Sequence, residues 1–304
     1  MRAAAILGLG CSPKKLKPFQ SDPSIEWRMG LPAQDDEVDV VLLFGGDGTI
    51  HRHLGQLVRL GLPVLVVPAG SGNDFARALE IASMRDSLKA WRRFCAGQQN
   101  RRAIDLGVIS AWSAGAQPKS GASRYFCCVA GVGLDGEVAR RANHLPRWLR
   151  GSGGYVLALL PTIFQFAPLQ MKILSAAGEA SYKGNGRDGR ASWIVRSDQP
   201  TILAAFANTA LYGGGMKIAP QAKMDDGRLD VCIVGAVDPF KLFCLFPTVY
   251  GGRHLKIREV EYFQESCLRV ETRLPVDVYA DGEYVCQTPV EIRAEAAALA
   301  VVVP

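Results

Sequence analysis

The chain has 304 residues, 48% of them hydrophobic and 21% charged, a balance ordinary for folded domains and a length sufficient for two cores. Its net charge of +6 is modest and diffuse, and no basic stripe interleaved with aromatics marks a nucleic-acid binder. Eight cysteines without a CxxC pair offer neither a zinc site nor a disulfide framework, and they read as reduced, mostly buried thiols of a cytoplasmic protein.

The opening "MRAAAILGLG" is too brief for a secretory leader and reads as a first buried strand. "VDVVLLFGG", a helix "IHRHLGQLVRLG", "PVLVVPAG" and a helix from about Asn73 through Ala82 follow. Strands alternating with helices imply βαβ units on a parallel sheet, and runs apolar without alternation imply strands covered on both faces. From about Ile104 the texture becomes strand-like: "AIDLGVIS", "RYFCCVAGVG", "SWIVRSDQPTILAAFANTA", "RLDVCIVGAV", "SCLRVETRLPVDVYADGEYV" and "PVEIRAEAAALAVVVP". Only "LDGEVARRA", the Trp148 to Phe166 segment and "DPFKLFCLFPTVYGG" look helical there. The fold class is thus α/β + β: a doubly wound, Rossmann-like α/β domain over 1–103 and a mainly antiparallel β domain over 104–304. The glycine-rich stretches "SAGAQPKSGAS" and "GEASYKGNGRDGRAS" read as surface loops. The longest apolar run, "YVLALLPTIFQFA", is interrupted by Pro161 and Gln165 and falls short of the ~18 residues of a membrane span, so any membrane contact is peripheral.

Two glycine clusters, Gly45-Gly46-Asp47-Gly48-Thr49 and Gly70-Ser71-Gly72-Asn73-Asp74, each follow a strand and precede a helix. Function in open parallel sheets lies beyond the strand C-termini, so both clusters face one crevice. Consecutive glycines let backbone N–H groups approach a phosphate, and a helix N-terminus adds positive potential. An acid inside such a loop repels a bare phosphate unless it holds a metal ion or takes a proton, so Asp47 points to Mg²⁺-assisted phosphoryl transfer. The competing reading is a tight turn in which Asp47 or Thr49 caps the helix. Neither a Walker P-loop nor GxGxxG occupies this position. Arg140, Arg141, Arg147 and Arg150 cluster beside Trp148, which suits an anionic membrane interface, nucleotide phosphates or simply a solvated helix face. His51, His53, His144 and His254 show no metal-ligand spacing.

Taken in order, "GGDGT", "PAGSGNDFAR", "GVGLDGEV", "NTALYGGGMKIAPQAKMDDGRLDV" and "DGE" resemble the diacylglycerol kinase catalytic family, which includes bacterial lipid kinases and the sphingosine and ceramide kinases. The resemblance runs from about Asp39 to the C-terminus. It implies a C-terminal β-sandwich, ATP with Mg²⁺ in the interdomain cleft, and the hydroxyl of diacylglycerol or a related long-chain lipid as acceptor. It implies that Gly45, Gly46, Gly48 and Thr49 cradle ATP phosphates, that Gly70, Ser71, Gly72 and Asn73 form a second nucleotide loop, and that Asp47 does metal or proton work. It places Asp74 in the metal network and makes Asp226 a structural metal ligand, where the bare sequence offers a β-turn. Glu283 becomes the general base, against a hairpin turn in "ADGEY", and Asp135 approaches the acceptor head group. The partner implied is a lipid substrate at the membrane surface, met by a cytoplasmic, peripherally associated protein; no nucleic acid is implied, and a homodimer is compatible.

Two departures from the family stand out. Many relatives begin with "NPxSG" where this chain has "LGLGCSPKKLKPF", and "GGDGTxxE" here reads "GGDGTIHR", so Arg52 stands where an acid is expected. The departures motivate an alternative, a catalytically weak nucleotide- or lipid-binding regulator. NAD kinases share "GGDGT" but need an acidic "NE" pair for the dinucleotide ribose, which nothing here supplies.

Overall fold

The computed structural model describes residues 1–112, 123–144, 152–177 and 192–304, with the side chains of 142–144 and 152–157 left aside. Both glycine-rich stretches fall largely outside these residues, as do Arg147, Trp148 and Arg150 of the basic cluster and the side chain of His144.

The N-terminal half is the expected α/β layer. Strands β1 (Arg2–Leu7), β2 (Glu26–Met29), β3 (Val40–Gly45) and β4 (Val64–Pro68) run parallel in the order β2-β1-β3-β4. Every residue of β3 is buried, which requires cover on both faces and explains its unbroken apolar sequence. Helix α1 (Asp47–Leu60) buries Ile50, Leu54, Leu57 and Leu60, a helical stripe, and Gly61 stops it in the left-handed region.

The helix expected over Asn73 to Ala82 is shorter and is followed by another. Helix α2 spans Asp74–Ala78; Glu80 then takes φ +62°, a conformation no helix continues. Ser83 and Asp86 form a capping box that starts α3 (Met84–Cys95). Trp91 of α3 donates its indole N–H to Phe19 O at 3.0 Å.

The C-terminal half is a β-sandwich built from β5 (Arg101–Ala111), β6 (Arg124–Phe126), β7 (Val129–Gly133), β8 (Leu169–Ala176), β9 (Trp193–Ala207), β10 (Leu229–Gly235), β11 (Val260–Glu265), β12 (Cys267–Thr272), β13 (Asp277–Ala280), β14 (Glu283–Gln287) and β15 (Val290–Val302). Its interior is lined by alternate residues, among them Met171 and Ile173, Leu229, Val231 and Ile233, Leu268 and Val270, as the period-two strand geometry requires. Strand β15 closes the chain. It runs antiparallel along β12 and β5, then meets β4 in parallel through Val301 and Val64, so the two halves share one ladder.

Among the described residues, three α-helices decorate this half: α4 (Leu134–His144), α5 (Ser152–Gln165) and α6 (Pro239–Leu245). Pro161 interrupts the apolar run of the sequence but not the helix, since α5 continues through it. Among the described residues no helix is long and apolar enough to cross a membrane.

Candidate active site

A cleft of about 420 Å³ opens where the ends of β3 and β4 face β7 and the β13–β14 hairpin. Gly46, Asp47, Gly48 and Thr49 line it from one loop, Gly70, Ser71, Gly72 and Asp74 from the next, and Asp135, Asp281 and Glu283 from the β-rich half. The two glycine clusters therefore do share one crevice.

The loops meet backbone to backbone. A Cβ built on Gly46 would lie 2.5 Å from Gly72 O, and one on Gly70 would lie 2.5 Å from Gly46 Cα, so any side chain at either position forces the loops apart. Gly45 and Asn73 work from behind the cleft. Gly45 O accepts from Ala69 N–H at 3.0 Å, and Asn73 accepts from Gly70 N–H and donates to Gly70 O.

Asp47 does two things. Its carboxylate accepts from the N–H groups of Asp74 at 3.0 Å and Phe75 at 3.1 Å, so it caps α2 across the gap between the loops. It also faces the cleft. Burial, followed by the nearby carboxylates of Asp74 and Asp281, pushes its pKa up to about 6 against the pull of those two N–H groups. Asp74 is buried and fully engaged: Arg77 donates to Oδ1 at 2.8 Å and Gly214 N–H to Oδ2 at 2.7 Å. It ties α2 to the Gly213–Gly214 segment of the far wall.

On the β-rich side, Asp281 and Gly282 both take positive φ, 51° and 85°, the conformation of a type I′ hairpin turn. The Asp281 side chain is buried. It accepts from the backbone N–H groups of Cys127 (2.9 Å), Cys128 (2.8 Å) and Val129 (3.3 Å), from the Cys127 thiol (3.3 Å) and from His51 Nδ1 (3.2 Å). Burial alone would raise its pKa, but the His51 ring and the Cys127 and Cys128 N–H groups outweigh it and hold the pKa low. His51 in turn is raised, the Asp281 carboxylate overcoming the opposing effect of burial. The turn thus delivers Glu283, whose side chain is exposed, to the N-terminus of α1, where its Oε1 would lie 3.1 Å from a Cβ on Gly48.

Asp135 is nearly buried at the start of α4. Its carboxylate fills the space a side chain at Gly131 would need, with Oδ2 only 2.1 Å from the Cβ position, which accounts for the glycine four residues earlier in "GVGLDGEV". Asp135 and Tyr212 line the cleft and also a separate, apolar pocket walled by Leu159, Ile163, Leu242 and Phe246. A polar and an apolar site therefore meet at one carboxylate.

Asp226 is not brought to this cleft. It sits in an exposed turn, accepting from Arg228 N–H at 3.1 Å. Beneath it lies buried Asp105, whose oxygens accept from Gly227 N–H (2.7 Å) and Ala297 N–H (2.8 Å). Nothing in the sequence alone singles out Asp105 or His51, and Asp281 enters there only as the first residue of "DGE". Asp105 lies inside an apolar strand, Asp281 has the signature of a turn residue, and the partner of His51 is remote along the chain. Among the described residues, Arg52 is the one cation that lines the cleft, and it forms no ion pair there.

Comparison with known proteins accounts for nearly the whole chain. Residues 27–109 match the family model of the diacylglycerol kinase catalytic domain, and 128–303 match that of the YegS C-terminal NAD kinase beta sandwich-like domain. A diacylglycerol kinase of Mycobacterium tuberculosis is 32% identical over 272 residues, covering 88% of this chain and 77% of its own. One from Bacillus subtilis is 26% identical over 250 residues, 82% and 72% of the respective chains. Solved structures share the fold. A diacylglycerol kinase from Bacillus anthracis has TM-score 0.63 at 15% identity, covering 100% of this chain and 96% of its own. An NAD kinase from Archaeoglobus fulgidus, in complex with ATP, has TM-score 0.51 at 14% identity, covering 99% and 93%. With motif order, fold and sequence identity in agreement, the chain belongs to the diacylglycerol kinase family of lipid kinases, phosphotransferases that use an alcohol as acceptor.

Proposed function

We infer that the chain transfers the γ-phosphate of ATP to the hydroxyl of diacylglycerol or a related long-chain lipid presented at a membrane surface. The observation that carries this reading is the position of Asp135, which lines both a cleft of glycine backbone and carboxylates and a neighbouring apolar pocket. A phosphate donor and a greasy acceptor need these two environments side by side.

The residues fit a nucleotide with Mg²⁺. Asp47 and Gly48, the first residues of the fourteen-residue α1, line the cleft, and a helix N-terminus is a favourable end for phosphate oxygens. Burial and, to a lesser degree, the carboxylates of Asp74 and Asp281 raise the Asp47 pKa to about 6, so a cation beside it would be favoured. A Mg²⁺ ion bound with the nucleotide would neutralise the carboxylates and the phosphates together and supply electrostatic stabilisation of the transferring group.

This chain's own residues do the rest. Gly46 and Gly70 hold the two loops in contact, and Arg52 adds a positive charge for phosphate oxygens. Asp135 orients the acceptor hydroxyl, while the apolar pocket takes the chain behind it. Glu283, exposed and next to the α1 terminus, removes the hydroxyl proton as the oxygen attacks in line.

The test is transfer of labelled γ-phosphate from ATP-Mg²⁺ into micelles containing diacylglycerol, sphingosine, ceramide or polyprenol. Label in one lipid, lost in Glu283→Gln, supports the reading and names the acceptor. ATP binding without label in any lipid overturns it in favour of a regulator.

A further inference from the structure

The α6 helix carries one charge, Lys241, and is otherwise made of apolar and aromatic residues and a cysteine. Leu242 and Leu245 face inward and, with Phe246 and Val249 of the following 3₁₀ turn (Phe246–Val249), line the apolar pocket. Phe240 and Phe243 face outward, 67% and 40% exposed, and Phe164 of α5 and Tyr250 join them at 56% and 40%. Two pairs of rings meet: Phe164 and Phe243 have centroids 6.0 Å apart, and Tyr250 lies 5.9 Å from the pocket-lining Phe246, edge to face. The helix is nevertheless firmly built, since Asp238 caps it by accepting from Phe240 and Lys241 N–H. Folding does not need these outward rings, and large aromatics gathered in one exposed patch mark a surface that something covers.

What surrounds the patch identifies the partner. From Asp238 to Arg258 the chain carries four cations, Lys241, Arg253, Lys256 and Arg258, against a single carboxylate. Lys241 is paired with Glu259 at 2.6 Å. Arg253, Lys256 and Arg258 are exposed and have no ion-pair partner among the described residues. Lys217, also exposed, is held beside the patch by its N–H bond to Val249 O. A further copy of this chain docked here about a two-fold axis would bring these cations against their own images. Exposed aromatics followed closely in the chain by unpaired, exposed cations instead match an anionic bilayer, with aromatics entering the headgroup region and cations meeting lipid phosphates.

We propose that Phe164, Phe240, Phe243 and Tyr250, with the cations Lys217, Arg253, Lys256 and Arg258, form the face by which this protein docks on an anionic membrane. The inference rests on reading the chain as a kinase of membrane lipids and adds which surface meets the bilayer and with what charge. The same short segment then serves on both sides: its outward rings enter the lipid while its inward leucines line the pocket, so an acceptor reaches Asp135 without crossing water.

The experiment is flotation of the full chain with vesicles of phosphatidylcholine alone and of phosphatidylcholine mixed with phosphatidylglycerol, without nucleotide. Four proteins are compared: wild type, Phe240→Glu/Phe243→Glu, Arg253→Glu/Lys256→Glu/Arg258→Glu, and Leu274→Glu, which removes an equally exposed apolar residue elsewhere. Turnover of a short-chain diacylglycerol dissolved as monomer is measured in parallel and reports folding and chemistry. The expected result is binding to the anionic vesicles that falls on the order of tenfold or more in both patch variants, with Leu274→Glu and monomer turnover unchanged. Failure of wild type to float with anionic vesicles, or equal flotation of the Phe240→Glu/Phe243→Glu protein, overturns the docking face even if monomeric lipid is phosphorylated. Patch-dependent flotation with no turnover of any lipid upholds the face and overturns the kinase chemistry.

Discussion

His51 Nδ1 donates to the Asp281 carboxylate at 3.2 Å, joining the first glycine helix to the hairpin that carries Glu283 across 230 residues of sequence. Both side chains are largely shielded, at 13% and 0% exposure, so the pair is a real constraint on how the two halves meet. Removing one partner leaves the other poorly matched in a low-dielectric site.

The first prediction concerns that pair and pH. His51 is raised above its ordinary 6.5, so its contribution is complete below 6.5 and fades as pH rises through the folded value. Asp281 is lowered below its ordinary 3.8, so its contribution is complete above 3.8 and fades as pH falls through the folded value. The pair therefore stabilises most between those two ordinary values. His51→Leu should lose about 1–3 kcal/mol at about pH 5.5, seen as a lower Tm in thermal melts. The gap between wild type and variant should narrow at about pH 9. A gap independent of pH would mean that His51 acts by packing alone.

Asp47 should separate into two roles. Loss of its cap on α2 should cost about 1 kcal/mol in Asp47→Ala, visible in denaturant melts. Phosphoryl transfer should fall by two orders of magnitude or more, about 3 kcal/mol of transition-state stabilisation. A variant whose activity falls only as far as its stability would confine Asp47 to the cap.

Gly70→Ala places a Cβ 2.5 Å from Gly46 Cα. Backbone cannot yield there without parting the two loops, so nucleotide binding and Tm should both drop, in contrast with Gly55→Ala, where nothing lies within 4 Å and a helical alanine is favourable by about 0.5–1 kcal/mol. Calorimetric titration with ATP-Mg²⁺ and melts of both variants check this.

These contacts also show what can be read from the chain itself. The glycine clusters are legible because each is a local pattern at a strand end, and the buried strands β3 and β4 declare themselves by unbroken apolar runs. The succession of strand-like pieces after Ile104 likewise marks the β-rich half. Strands β2, β8 and β11 carry no such signal, since β2 and β11 are half exposed and β8 carries Gln170 and Lys172 among its apolar residues. The premature end of α2 depends on Glu80 at positive φ, and its start on a cap from Asp47, a partner from another loop. The Asp281 anchor is hidden for a similar reason. "ADG" is a good hairpin turn, and only the fold shows that Cys127, Cys128 and His51 converge on its carboxylate.

Arg52 stands among the cleft carboxylates of Asp47, Asp74, Asp135, Asp281 and Glu283 without an ion-pair partner among the described residues. A guanidinium there is placed to meet nucleotide phosphate, so Arg52→Glu should raise the KM for ATP-Mg²⁺ on the order of tenfold, about 1.4 kcal/mol, with Arg52→Lys intermediate. Steady-state kinetics with ATP varied would reveal it. An unchanged KM with a lowered kcat would instead place Arg52 on the transferring phosphoryl group alone.

The last prediction turns on Glu283. It is exposed and bonded to no buried group, so Glu283→Gln should melt with the wild type while kcat falls by two to three orders of magnitude, in line with removal of a general base, and the KM for ATP-Mg²⁺ should hold. Gly48→Ala offers a milder control, because its Cβ would sit 3.1 Å from Glu283 Oε1 and the flexible carboxylate can retreat a few tenths of an ångström. If Glu283 removes the acceptor proton, this small displacement should lower kcat several-fold while Tm does not fall. If Glu283 is only a turn residue beside the cleft, both variants should turn over as the wild type does. Single-turnover transfer to a diacylglycerol micelle separates the two outcomes, because it isolates the chemical step from product release.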